Sequence, residues 1–308
     1  MYSHRENNTK FIVGCLCAIG CAILYGLSFV FTKNVIGSVT TLSLLGWRFF
    51  VAFAVFNLCV ILGIIKINIK KKLKPVLILS LFFPVLYFIG ETIGVYYTTA
   101  SESGVFIASI PVATLVASSL LLHNYPTRLQ LVGISVTFFG VLITVLSVGM
   151  KSHFSGIGYT FLLIAVLSYS LYCVFVEKAS EFSGAEITYV MLACGAAVYA
   201  FLAIAESYIT DSFNELLTLP LTNSSFLSAI LYQGIGCSIC AFFMSNVAIS
   251  TIGINRTSSF IGLDTIVSIS SGVLVLNEIF TPYQVIGSAV IILGVYIANM
   301  KRKRYRSA

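Results

Sequence analysis

Three ionisable side chains, Glu91, Asp264 and Arg48, lie inside long apolar runs, where a charge is costly unless it is used or paired. Glu91 is the sharpest of them. Tyr87 stands four residues before it, Gly94 three after and Thr98 seven after, so one helical face carries a small and polar stripe. Pro84, seven residues before Glu91, cannot donate to the carbonyl of Ser80 and so weakens the helix on that same face. Removal from water penalises an ionised carboxyl, which suits Glu91 to binding and releasing a proton during a working cycle. The competing reading is a structural carboxyl, neutral or paired with Arg48. Asp264, with Ser268 and Ser271 on its face, is expected near the middle of its span. It either lines a pathway together with Glu91, or caps or pairs with another helix. Arg48, which follows Trp47, suits a substrate carboxylate or a counter-ion role toward Glu91; alternatively it snorkels to the membrane edge.

A second polar face is uncharged. Cys21, Tyr25, Ser28 and Thr32 recur at helical spacing of four, three and four, and Tyr169 and Tyr172 share one face of a later apolar run. These residues would line a cavity for a substrate with an aromatic or amphipathic part, although hydroxylated and small residues are also ordinary packing surfaces in membranes. Pro111, with Gly104, Ala108 and Ser118 nearby, reads as a close-packing or hinge face. The eight cysteines all fall in apolar runs, so no disulfide framework is indicated. Cys237 and Cys240 have a CxxC spacing but no His or acidic partners near them in sequence, and read as small buried hydrophobes. His4, His123 and His153 sit in termini or connections with no metal-binding or nucleophile-base spacing. Neither a metal nor a cofactor is expected, and an enzyme is disfavoured. No Gly-rich phosphate loop is present, which argues against direct use of ATP.

What must position these residues is a set of membrane helices. Of 308 residues 58% are apolar and 9% charged, with a mean hydropathy of +0.99, too little charge to cover a soluble core of this size. A transmembrane helix needs about 20 mainly apolar residues. Ten such runs are found, with cores at 11–31, 42–65, 76–98, 103–122, 129–148, 156–176, 187–209, 226–250, 258–276 and 283–300. The polar connection at 210–225 is too short for a separate domain. With the N-terminus cytoplasmic, 15 of the 18 basic residues fall on that side, Lys33 and Lys151 fall opposite, and Arg48 lies within a span. Both termini are therefore expected in the cytoplasm. The net charge of +7 then reads as an orientation signal and not as a nucleic-acid footprint. The clusters at Lys70 to Lys74 and Lys301 to Arg306 serve the same purpose, or bind anionic lipid.

Self-comparison reveals a duplication. The segment from Gln130, with Gly133, Val136, Gly140, Val141 and Ile143, returns 154 positions later with Gln284, Gly287, Val290, Gly294, Val295 and Ile297. A weaker echo at an offset of 144 sets Tyr25, Leu27, Val30 and Phe31 against Tyr169, Leu171, Val174 and Phe175. Five spans copied once give an all-α polytopic membrane protein of ten transmembrane helices, divided as 1–149 and 150–308. Because five is odd, the second copy must run with inverted topology, the arrangement of many secondary transporters.

Arg48 in the second span, the stretch Tyr97 to Glu102 leading into the fourth, Pro111, and the junction from Leu276 through Glu278 and Thr281 to Gln284 and Gly287 resemble the EamA-type branch of the drug/metabolite transporter superfamily. Two positions depart from that pattern: Asn124 stands where the second half has Glu278, and Thr265 stands where a second proline would match Pro111. The resemblance implies a transporter in the cell membrane, commonly an exporter of amino acids or other small metabolites. Its partners would be a small-molecule substrate, the lipid bilayer and a proton as coupling ion. Driving by the solute gradient alone, a passive facilitator, a nucleotide-sugar-type exchanger, a non-transporting membrane component and an intramembrane enzyme are the alternatives.

Overall fold

A computed structural model of the chain describes residues 2–35, 38–68, 73–97, 107, 109–123, 125–146, 156–179, 181–276 and 282–300. Lys70 to Lys72, Thr98, Glu102, Gly104, Ala108, Asn124, Lys151, His153, Glu278, Thr281 and the cluster Lys301 to Arg306 lie outside the described residues, as do the side chains of His4, Lys33 and Gln284. Among the described residues every regular element is a helix.

The helices are α1 (Tyr2–Val35), α2 (Thr41–Ile61), α3 (Lys74–Ser80), α4 (Tyr87–Tyr97), α5 (Ile110–Leu122), α6 (Arg128–Leu146), α7 (Gly156–Lys178), α8 (Gly184–Ile209), α9 (Phe213–Thr222), α10 (Ser224–Leu231), α11 (Phe242–Ile252), α12 (Ile254–Ser259), α13 (Ile261–Leu276) and α14 (Pro282–Asn299). Six stretches are long and apolar enough to cross a bilayer: Thr9–Thr32, Thr41–Ile61, Lys74–Gly94, Gly156–Lys178, Gly184–Ile209 and Ser224–Ile252. Ile110–Leu122, Arg128–Gly140 and Val285–Ala298 are apolar but shorter. Thr40 caps α2 by accepting from the Ser43 amide, and Ser183 with Glu186 forms a full capping box at the start of α8.

Two of the long stretches are interrupted. Between α3 and α4 the chain forms a wide π-helical turn at Leu81–Leu86, and Phe83 leaves helical geometry altogether at φ −141° and ψ 115°. Pro84 supplies the local cause, since it has no amide to donate. A second π-helical segment, Tyr232–Ala241, joins α10 to α11. Phe83 fills the bundle centre, its ring centroid 4.8 Å from those of both Tyr172 and Phe242, within a buried cluster that also holds Phe49, Phe88 and Tyr199.

The main pairings are α2 with α8, α4 with α7, α1 with α11 and α13, α5 with α7, and α6 with α14. In the last pair Gly133 faces Ala298, Thr137 faces Gly294 and Gly140 faces Ile291. Residue numbers fall along one helix as they rise along the other, so α6 and α14 run antiparallel. The repeated glycines let the two backbones touch, which is how helices associate where lipid offers no hydrophobic drive.

The 210–225 connection is not merely a polar link. Most of it folds into α9, which buries Leu216 and Leu219 and accepts a 2.9 Å hydrogen bond from the Trp47 indole at the Leu216 carbonyl. Deeper in the bundle the Tyr172 hydroxyl donates to Asn246 Oδ1 at 2.7 Å, and Asn246 Nδ2 donates to Thr188 at 3.0 Å. Tyr172→Phe should cost about 1 kcal/mol, the scale of one interhelical hydrogen bond in a membrane, and lower the thermal midpoint measured in detergent.

Candidate functional site

Glu91 lies on α4, one turn beyond the interruption, where the Tyr87 hydroxyl donates to its Oε1 at 3.2 Å. Gly90 and Gly94 on the same helix allow α4 to close on α7: a Cβ on Gly90 would fall 2.7 Å from the Phe161 carbonyl oxygen, and one on Gly94 would strike Leu162. A carboxylate offers about four acceptor positions. Tyr87 uses one, which leaves Glu91 capacity for a proton or a cation.

Arg48 lies inside the bundle. It is 6% exposed, its guanidinium lies 4.4 Å from the Phe88 ring centroid and 5.4 Å from that of Phe49, and its Nε donates to Ser238 Oγ at 2.9 Å. A cation over aromatic faces is stabilised without a counter-ion. No ion pair within 4.0 Å joins Arg48 to Glu91, and Arg48 acts on it electrostatically from further off. The terminal nitrogens of Arg48 hold no protein partner among the described residues and suit a carboxylate bidentately.

Asp264 lies elsewhere than in the middle of a continuous helix. The ninth apolar run divides at Phe260, and Asp264 falls in the first turn of α13, where the helix dipole favours a carboxylate. Ser271 donates to the Ser268 carbonyl of its own helix, so that hydroxyl offers Asp264 nothing. Asp264 lies within electrostatic reach of Cys21, Cys237 and Tyr87. Its backbone packs on α1, where a Cβ on Gly26 would fall 2.8 Å from the Asp264 carbonyl oxygen, and Tyr87 is acted on electrostatically by both Glu91 and Asp264.

Tyr169 and Tyr172 meet Tyr87 and Phe83 there, with ring centroids 5.6 Å apart for Tyr87 and Tyr169 and 5.2 Å for Phe83 and Tyr169. On the first helix Ser28 donates back to the Tyr25 carbonyl at 2.6 Å, and Thr32 accepts from Gln233 Nε2 at 2.8 Å. The Tyr25 hydroxyl is different. It is enclosed near Cys21, Tyr169, Tyr172 and Cys237 and has no hydrogen-bond partner among the described residues. A buried donor left unpaired is costly, so this phenol is ready for an acceptor that enters the bundle.

Pro84 stands at the interruption itself, Gly94 at the α4 and α7 contact, and Pro111 in the first turn of α5, where a missing amide costs nothing. Ser118, one face further along α5, donates to Asn255 Oδ1 at 2.8 Å. A surface cleft of about 320 Å³ lined by Ser38, Thr40, Ser43, Ser212 and Glu215 is separate from these residues. Sequence reasoning overlooked Tyr199, Ser238, Phe88 and Asn246. Asn246 carried a signal, an amide within an apolar run; Tyr199 and Phe88 carried none, since aromatic residues populate every span.

A model of the EamA-like transporter family matches residues 12–146 and again residues 156–300. An uncharacterized transporter of Bacillus subtilis, YcxC, is 29% identical over 292 residues, covering 94% of this chain and 93% of that protein. An uncharacterized transporter of Archaeoglobus fulgidus is 24% identical over 281 residues, covering 90% and 95%. A solved crystal structure superposes with a TM-score of 0.76 at 16% identity, covering 96% of this chain and 99% of that one, a likeness of fold.

Proposed function

Since this chain belongs to the EamA-like transporter family, an integral multi-pass membrane protein that moves a small molecule and not an enzyme, we propose that it exports small organic metabolites such as amino acids by alternating access. Ten spans in two inverted five-helix halves, 1–149 and 150–308, rock around a site held by Glu91, Asp264 and Arg48. Tyr25, Ser28, Tyr87, Tyr169 and Tyr172 complete that site, Pro84, Pro111 and Gly94 serve as hinge or close-packing points, and Glu91 exchanges the coupling proton. Both termini face the cytoplasm and the membrane is the plasma membrane.

The observation that carries this reading is the pair of interrupted helices. Shifting Leu81–Leu86 by the 154-residue repeat gives 235–240, inside the second π-helical segment Tyr232–Ala241. Irregular helices at corresponding positions of two halves are the usual location of a transporter's binding site. The pairings support the same symmetry. Exchanging each apolar segment for its repeat partner turns the contact of α1 with α11 into that of α7 with α4, and the contact of α1 with α13 into that of α7 with α5. It also maps α2 with α8 and α6 with α14 onto themselves, and the antiparallel course of α6 and α14 is what inversion requires.

A solute screen tests the proposal. Cells that overproduce the protein should tolerate, and release faster, a subset of amino acids or related metabolites relative to cells with an empty vector. Identical tolerance and release across the whole panel would remove export from consideration. Repeating the release with the proton gradient collapsed separates a coupled exporter, which slows, from a facilitator, which does not.

A further inference from the structure

Each interrupted helix accepts a hydrogen bond from a side chain of the α2 and α8 pair, and the two donors sit on helices that touch. Tyr199 of α8, fully buried, donates to the Val85 carbonyl at 2.7 Å and lies 3.3 Å from that of Pro84. Arg48 of α2 donates from Nε to Ser238 Oγ at 2.9 Å. Pro84 and Ser238 are separated by 154 residues, the offset of the repeat, so the donors address points within one residue of equivalence in the two halves. Interrupting a membrane helix leaves backbone groups that neighbouring helices must satisfy; Tyr199 meets the Val85 carbonyl at the first interruption, and at the second Arg48 holds the segment through the Ser238 side chain.

The donors are also joined to each other. The Phe49 ring, next to Arg48 in sequence, stacks on Tyr199 with centroids 5.2 Å apart. A Cβ on Gly46 would fall 2.8 Å from Ala203 and 3.2 Å from the Tyr199 carbonyl, and one on Gly195 2.6 Å from Phe49, so α2 and α8 are locked face to face. The second interrupted segment rests on the same pair, with Gly234 close to the Arg48 carbonyl.

We propose that Tyr199 and Arg48 are paired positioning residues that hold the two interrupted helices to one α2 and α8 unit, so that a change at one interruption alters the exposure of the other. This rests on the transporter reading for its consequence, the rate at which the site changes sides. Tyr199 touches neither Glu91 nor Asp264 by hydrogen bond, and its effect would be on rate, not on affinity.

The native thiol of Cys237, fully buried and adjacent to Ser238, reports the second interruption. The full-length protein in proteoliposomes is exposed to a membrane-permeant maleimide and the Cys237 peptide is followed by mass spectrometry. Tyr199→Phe, a change in the contact to the first half, should alter the Cys237 alkylation rate by about 3- to 20-fold, the range that one interhelical hydrogen bond spans. A purely local structural role would leave it unmoved. The maximal uptake rate of a radiolabelled amino-acid mixture should fall over the same range with the half-saturating concentration unchanged. Wild-type values in either measurement overturn the proposal. If Tyr199→Phe does not assemble, Ser238→Ala in the uptake assay decides, and a wild-type maximal rate overturns it. If the wild type shows no uptake, the amino-acid cargo reading fails on its own, and Cys237 labelling alone decides the brace.

Discussion

Glu91→Gln is expected to lower gradient-driven accumulation of the transported solute steeply while leaving the protein folded. The substitution preserves shape, and the Tyr87 hydroxyl, 3.2 Å from Oε1, can donate to the amide oxygen as it does to the carboxyl. What Gln lacks is the ability to gain and lose a proton and to hold a cation. Losing a hydrogen bond to a charged group, about 1.5–3 kcal/mol, corresponds to roughly a 10- to 150-fold fall in flux. The measurement is accumulation in proteoliposomes under an imposed proton gradient, with the wild type and Tyr87→Phe as references. Wild-type accumulation by Glu91→Gln at every imposed gradient would remove the proton-exchanging role.

Gly294→Leu should prevent the bundle from assembling. A Cβ there would strike the Thr137 amide and hydroxyl and fall 2.7 Å from the Gly133 carbonyl oxygen, so the first obstacle is backbone, which cannot rotate away. Overpacking a well-fitted contact costs about 1–3 kcal/mol, and more where nothing can yield. The expected result is loss of monodisperse protein in detergent. Gly236→Ala is the matched control, since a Cβ there has nothing nearer than 3.7 Å and the yield should be retained. A normal yield from Gly294→Leu would mean that α6 and α14 are not held together by this contact.

Much of the architecture could be read from residue spacing, and the reasons for the gaps are specific. Gly133, Gly140, Gly287 and Gly294 announce a duplication, but spacing carries no distance between copies, so it does not say that the copies face each other. Pro84 marks its interruption because a missing amide is a local fact; Ser238, at the equivalent place, has an amide, so no missing donor marks its segment. Asp264 reads as central because apolarity continues on both sides of it, and the division at Phe260 carries no proline, only Gly262 two residues on, a residue equally common as a packing glycine in membrane helices. The helix Phe213–Thr222 escaped notice because a search for apolar runs is blind to a short helix that buries only Leu216 and Leu219. Tyr199 is invisible in sequence for the same reason that it is effective: its role lies in one oxygen reaching another helix.

The α6 and α14 contact also sets a timetable for biosynthesis. Arg128 and Pro282, where the two helices begin, are 154 residues apart, so at roughly 5–20 residues per second the ribosome delivers the second helix on the order of ten seconds after the first. Throughout that interval the Gly133 and Gly140 face lacks its native partner. Small-residue faces of this kind are adhesive, and quality control of the nascent chain must shield this one until its partner emerges.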